Sequence, residues 1–314
     1  MPASDAIVAV AGSASVDMTL RAPPPGWIGA TARDCYTPET VQRLDAPLET
    51  HLGGNGGAAA YTIGRLGTRV LLAAPIGIDP LGRLVRGWLE DAGVEIIGPP
   101  GASTNVGMNA VDGDGGRVGT LQHPGPRVPW ALPASDTRAG WLLVALFANV
   151  PRDDAGAVLD GMRQFRQDGR LTAFDPGIAW MSSMEPAEMH SIWREVDLLV
   201  ATQDELGHWT GLDDPDAIID RVRDIGPGRV VVKLGAAGAS FTDDDGRVRH
   251  EPAVALPRSG LSIGAGDAFN GALLAGLASG KRMAEAVRSA HEVAARVVAS
   301  GRGVLGVDDA NEMD

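Results

Sequence analysis

Short apolar runs alternate along this chain with stretches whose apolar residues recur every three or four positions. "TRVLLAAPIG", "GWLLVAL", "LTAFDPG", "VDLLVAT" and "GRVVVKLG" are such runs. They are short and rich in branched residues, which reads as strands buried on both faces of a parallel sheet. The opening "AIVAVAGSASVDMTL" reads as another buried strand, followed by a small-residue turn that places Asp17 at its end. Helical spacing fills the gaps. "GGNGGAAAYTIGRLG" is a glycine turn feeding a helix, and "DPLGRLVRGWLEDAG" is an amphipathic helix that starts at Asp79 and Pro80 and stops at Gly93. Further helices are predicted over 153–168 and 186–195, in two short pieces after "VDLLVAT", and from about Met283 to Ser300. Strands alternating with helices imply an α/β fold: a doubly wound, mainly parallel sheet covered on both faces.

Two regions break that rhythm. Residues 22–52 are rich in proline and turn formers, and "NVGMNAVDGDGGRVGTLQH" reads as a hairpin around "DGDGG". Together they predict a small β extension, drawn from segments within about 14–60 and 104–124, over the sheet's edge or its ligand crevice. A second hairpin is expected around "DDDG", and residues 1–314 are expected to form one domain.

Bulk composition narrows the classes. An apolar fraction of 44% supports a real core. The net charge of −13 repels phosphate backbones, which argues against nucleic acid as a partner. The single cysteine, Cys35, rules out a disulfide within the chain and reads as a bystander. No apolar run approaches the ~18 residues of a membrane span. The start "MPASDAIVAV" lacks the basic segment of a signal peptide, so a cytoplasmic location is expected.

The chemistry concentrates in "LSIGAGDAFNGALLAGL", Leu261 to Leu277, where two glycines precede Asp267 and an apolar run follows. An aspartate there can cap a helix. It can also stand as a base beside a cup of backbone N–H groups that attracts anions, the arrangement that phosphoryl transfer needs. No G-x-x-x-x-G-K-[ST] loop occurs, and "AGSASVD" stands where a dinucleotide fingerprint would follow the first strand. A nicotinamide-dependent dehydrogenase is therefore disfavoured.

"GAGDAFNGALLAGL" resembles the C-terminal signature of the ribokinase-like, or phosphofructokinase-B type, carbohydrate kinases, and "GGNGGAAAYTIGRLG" resembles their N-terminal signature. "GSASVD", "HPG", "TQDELGHWTG" and "VVVKLGAAG" follow in the family's order, so the resemblance runs from about Ile7 to Gly306. It implies a doubly wound core with a β lid over the substrate, and ATP with Mg²⁺ as phosphate donor. It implies Asp267 as catalytic base and the backbone of Gly264, Ala265, Gly266 and Asp267 as anion hole. Asp17, Gly53, Gly54, Asn55 and Phe147 fall on the substrate side. Lys233, Gly235, Gly238, Thr202 and His291 fall on the nucleotide side, and Glu205 corresponds to a residue that acts on Mg²⁺ through water.

Departures from the family pattern carry information. The N-x-x-E motif is Thr202 to Glu205, with threonine for asparagine, and an aspartate that helps hold a monovalent cation is Leu261. Ala58 replaces an asparagine, Asn55 a lysine and Phe147 a glutamate, while "DPGIAW" lacks the arginine of D-P-N-x-R. Fewer polar groups remain for a free sugar's hydroxyls, which argues against ribose. The expected activity is ATP-dependent phosphorylation of a hydroxyl on a sugar or sugar-like molecule. A nucleoside acceptor and a non-catalytic binding protein are the alternatives. The exposed lid edge also suggests a homodimer.

Overall fold

The computed structural model describes residues 6–21, 48–98, 100–112, 117–123, 138–145, 154–256 and 261–308. Phe147 and Cys35 lie outside the described residues.

A nine-stranded sheet forms the body. Its strands are β1 (Ile7–Gly12), β4 (Arg69–Ala73), β6 (Val94–Ile96), β10 (Trp141–Ala145), β11 (Leu171–Asp175), β12 (Leu198–Thr202), β13 (Arg229–Lys233), β14 (Ala239–Thr242) and β15 (Val248–Glu251). The spatial order is β15-β14-β13-β12-β11-β10-β1-β4-β6. Pairing is parallel from β6 to β13, and the β14–β15 hairpin, the one anticipated around "DDDG", adds an antiparallel edge. Successive residues of β1 enter different cores. Val8 and Val10 pack beneath α1 (Asn55–Arg65), α2 (Pro80–Asp91), α8 (Ala265–Ala278) and α9 (Met283–Ser300). Ile7, Ala9 and Ala11 pack beneath α3 (Ala155–Gln167), α4 (Ile178–Met181), α5 (Pro186–Trp193), α6 (Gln203–Thr210) and α7 (Pro215–Arg223). The sheet is thus doubly wound, and its central strands β1 and β10 are apolar along their length because neither face meets water, while the edge strand β15 is polar and partly exposed.

A second, four-stranded sheet comprises β3 (Leu48–Gly53), β2 (Ser15–Arg21), β8 (Asn105–Val111) and β9 (Arg117–His123), in that order. A short parallel pair, β5 (Ile76–Gly77) and β7 (Pro100–Gly101), lies apart from both. The first long apolar run therefore does not end in a turn at Asp17. The chain leaves the body at Ser13 and Ala14, and Asp17 sits inside β2. The cause is visible in the alternation: Ser15, Asp17, Thr19 and Arg21 share one face, and Val16, Met18 and Leu20 the other. That pattern suits a strand with two unlike faces, not the buried body sheet.

One carboxylate ties the second sheet to the body. Asp79 caps α2 through Gly82 N–H (2.7 Å) and also accepts from Thr104 N–H (2.6 Å) and Thr104 Oγ1 (2.7 Å), immediately before β8. These bonds hold its carboxyl below the usual range despite the opposing effect of burial. Asp79→Ala removes a cap and a clamp together. We expect a loss of about 1–2 kcal/mol in urea unfolding at pH 7, shrinking as the pH falls below the carboxylate range, where the wild type loses the same bonds. An unchanged midpoint would show that water replaces all three bonds.

Candidate active site

Ligands of open α/β sheets bind at the carboxyl ends of the strands, near the point where strand order reverses. Here that point lies between β1 and β10, from which the chain winds outward in both directions. Asp175, Thr202 and Lys233 are the last residues of β11, β12 and β13, so the parallel pairing brings three polar side chains to one edge. The first turn of α8 faces them.

Gly264 precedes α8 with φ 80°, a left-handed conformation that suits glycine, and it lets the chain turn abruptly into the helix. A methyl group there would also meet Val304 N at 3.2 Å, in the 3-10 turn Gly303–Gly306. Of the predicted anion hole, Ala265 N–H is partly taken by the Ser262 carbonyl, at 3.2 Å. Gly266 and Asp267 hold the second and third helical positions, where no intrahelical carbonyl reaches their N–H groups. Asp267 is not the cap: Gly264 occupies that position and has no side chain to bond the helix start.

Burial first, then the charge of Asp175, push the Asp267 carboxyl up to about 7. Asp17 and Glu205 push the same way, and Lys233 opposes them. Asp267 thus shares its surroundings with groups from β2, β11, β13 and α6. Lys233 Nζ lies 3.4 Å from Asp175 Oδ2 and donates to Asn270 Oδ1 at 3.2 Å, and Asn270 Nδ2 donates to Asp175. Burial works against the Lys233 ammonium, but Asp175, Glu205 and Asp267 outweigh it and raise its pKa.

Thr202 and Glu205 form a reciprocal capping box at α6: Glu205 accepts from Thr202 N–H at 2.7 Å, and Thr202 Oγ1 accepts from Glu205 N–H at 3.3 Å. Burial and Asp175 raise the Glu205 pKa. Leu261 is buried and its side chain packs with Val111 and Ile263.

On the second sheet, Ser15 Oγ donates to Asp17 Oδ1 at 2.9 Å. A methyl group on Gly53 or Gly107 would meet that carboxylate at 2.2 or 2.7 Å. Those neighbouring strands leave out a side chain so that Asp17 can lie across them. Gly54 is the N-cap of α1, and Asn55 Oδ1 accepts from Ser13 Oγ at 3.0 Å. Gly235 and Gly238 flank the turn between β13 and β14, with φ of 60° and 105°. His291 stands apart from the groups acting on Asp267: it lies on α9, edge-on to Phe269 (5.0 Å between centroids), its pKa lowered chiefly by burial.

Gly107 and Asn270 were not singled out in the sequence. Asn270 carries a readable signal: it follows Asp267 by three residues and so shares its helix face.

Comparison with known proteins agrees with this fold. The chain is 28% identical over 282 residues to aminoimidazole riboside kinase of Salmonella typhimurium, covering 82% of this chain and 86% of that one. It is 25% identical over 278 residues to fructokinase-1 of Oryza sativa subsp. japonica, covering 81% and 84%. In three dimensions it matches Arabidopsis thaliana ribokinase complexed with ribose and ATP, with a TM-score of 0.74, 18% identity and coverage of 96% and 95%. A sequence model of the pfkB family carbohydrate kinases matches residues 27–309. With strand ends, glycine turn and acid arranged as described, the chain belongs to the pfkB carbohydrate kinase family.

Proposed function

We propose that this protein transfers the γ-phosphoryl group of ATP to a hydroxyl of a sugar or sugar-like acceptor, with Asp267 as general base. The observation that carries the reading is the buried carboxyl of Asp267 in the first turn of α8, beside the N–H groups that no helical carbonyl reaches, where burial and Asp175 raise its pKa to about 7. A base works best when its pKa lies near the working pH. Asp267 takes the acceptor's proton as the acceptor oxygen attacks phosphorus and the bond to the ADP oxygen breaks. The N–H groups of Gly266 and Asp267 bind the charge that gathers on the transferring group. Asp17, laid across Gly53 and Gly107, is placed to accept from acceptor hydroxyls, and we propose that the second sheet closes as a lid over them. The two curated relatives act on fructose and on a riboside by name. A nucleoside-like acceptor is therefore the second reading.

Mg²⁺ fits as a cation that arrives with the phosphates. Among the described residues no three histidine, cysteine, aspartate or glutamate side chains converge to hold a metal, while Glu205 adds negative charge at the sheet edge and would hold a metal-bound water. Such a cation neutralises phosphate charge. The Leu261 side chain offers no oxygen, so turnover at fixed ionic strength should be the same in K⁺ and in Tris. A large K⁺-specific rise would mean that backbone carbonyls form a site unaided.

Asp267→Asn keeps size and backbone. We expect turnover to fall roughly 10²–10⁴-fold, and the wild-type kcat/KM to decline as pH drops below about 7. Stability gives an independent check. The folded pKa is raised, so the wild type binds a proton that the unfolded chain releases, and it loses stability as pH rises from the carboxylate range to about 7. Asp267→Asn escapes that loss, and its melting temperature should exceed the wild type's increasingly over that interval. Near-wild-type turnover in Asp267→Asn would reject the base assignment.

The outer face of the second sheet exposes Leu48, Met108 and Leu121. Met108 and Leu121 are direct cross-strand partners. We propose that this apolar face pairs two copies. Light scattering should then give a dimer that Leu121→Glu converts to monomer; a wild-type monomer at micromolar concentration would sink the idea.

A further inference from the structure

Lys233 ends a strand in a segment that the family uses for nucleotide, yet its surroundings are those of an internal ion. Its side chain is 12% exposed and that of Asp175 9%. Two of its three donor positions are directed at Asp175 Oδ2 and Asn270 Oδ1. Asn270 lies one helical turn beyond Asp267, on the same face of α8. A side chain at Gly266 would meet the Lys233 ammonium at 3.7 Å. Asp175 and Asn270 thus hold one positive charge beside Gly266, in the first turn of α8.

We propose that Lys233, clamped by Asp175 and Asn270, is a positioning residue whose fixed charge holds the Asp267 carboxylate in its ionised, proton-accepting form. This rests on the reading of Asp267 as the base. The groups facing Asp267 are Asp175 from β11, Lys233 from β13, Asp17 from β2 and Glu205 from α6. Three are acids that disfavour its ionisation, and Lys233 alone among them favours it. Asp175 has two roles: it repels Asp267 and it anchors the lysine. The hydrogen bonds of Asn270 to both partners keep that anchor from drifting. Without the clamp, a lysine with four rotatable bonds would spread its charge over a wide volume.

The test is the pH profile of kcat/KM, which reports groups of the free enzyme, for Lys233→Met, Lys233→Arg and Asp175→Asn. Lys233→Met should move the acid limb up by roughly one pH unit. Asp175→Asn removes a repelling charge and the lysine's anchor together, so its downward shift should be larger in the Lys233→Met background, where no anchor is lost, than in the wild type. Lys233→Arg, which keeps a positive charge, should return the limb toward the wild-type position. Should Lys233→Met fail to fold, Lys233→Gln takes its place, and the same upward shift of the limb is required. Rates that fall equally at every pH, with the limb fixed in all variants, would reduce Lys233 to packing and overturn the proposal. A tenfold rise in KM for ATP with a fixed limb would make it a nucleotide ligand and overturn it equally. Asp267→Asn run alongside separates the causes. If it abolishes turnover while the limbs stay fixed, only the Lys233 proposal fails. If it retains turnover, the base reading fails first.

Discussion

A carboxyl group that must both hold and release a proton near neutral pH has to sit partly out of water, and its charge must then be balanced by something fixed. Asp267 meets that condition at the start of α8, with Asp175 opposing its ionisation and Lys233 favouring it. Neither partner is adjustable in place, because each ends a strand of the parallel sheet. Charges this close and this poorly hydrated interact far more strongly than on an open surface. The rest of the molecule supplies the rigidity that such a balance demands.

That rigidity comes from packing. The α8 helix is apolar around most of its girth and buried from Ala268 to Gly276. It lies so close to α1 that a methyl group at Gly271 would meet the Ala59 carbonyl at 2.6 Å. Both helices begin at the crevice, so their close contact fixes the two glycine turns relative to each other. Strand order does the remainder: β11, β12 and β13 are neighbours, and parallel pairing puts their polar ends side by side.

The parts of this arrangement that depend on local pattern were legible in the chain. Uniformly apolar runs marked the body strands because both faces are buried, and Asp79 with Pro80 marked the start of α2 as the structure has it. Glycine followed by Asp267 and an apolar run marked the start of α8. What depended on tertiary contact was hidden. Asp175 and Asn270 meet across 95 positions of sequence. Gly107 matters for the space it leaves to Asp17, which no spacing rule records. The transfer of the chain from one sheet to the other at Ser13 and Ala14 was hidden too, because β1 and β2 both carry strand-forming residues and only the change from uniform to alternating polarity separates them. The cap reading of Asp267 failed by three positions, since Gly264 rather than the acid begins the helix.

The second sheet has a consequence for how such an enzyme diversifies. Its strands leave the body as separate excursions, 15–21, 48–53 and 105–123, and Asp17 with its two glycines belongs wholly to them. Of the four charged groups acting on Asp267, Asp17 comes from these excursions, and Asp175, Lys233 and Glu205 belong to the body. If Asp17 faces the acceptor, as proposed, replacements around it can accumulate in one module while the Lys233–Asp175–Asn270 clamp of the other stays intact. The two share the crevice but almost none of the same backbone. A directed-evolution library confined to the three excursions, with Asp17 held, would vary the proposed acceptor side and leave Asp267, Lys233 and Asp175 in place.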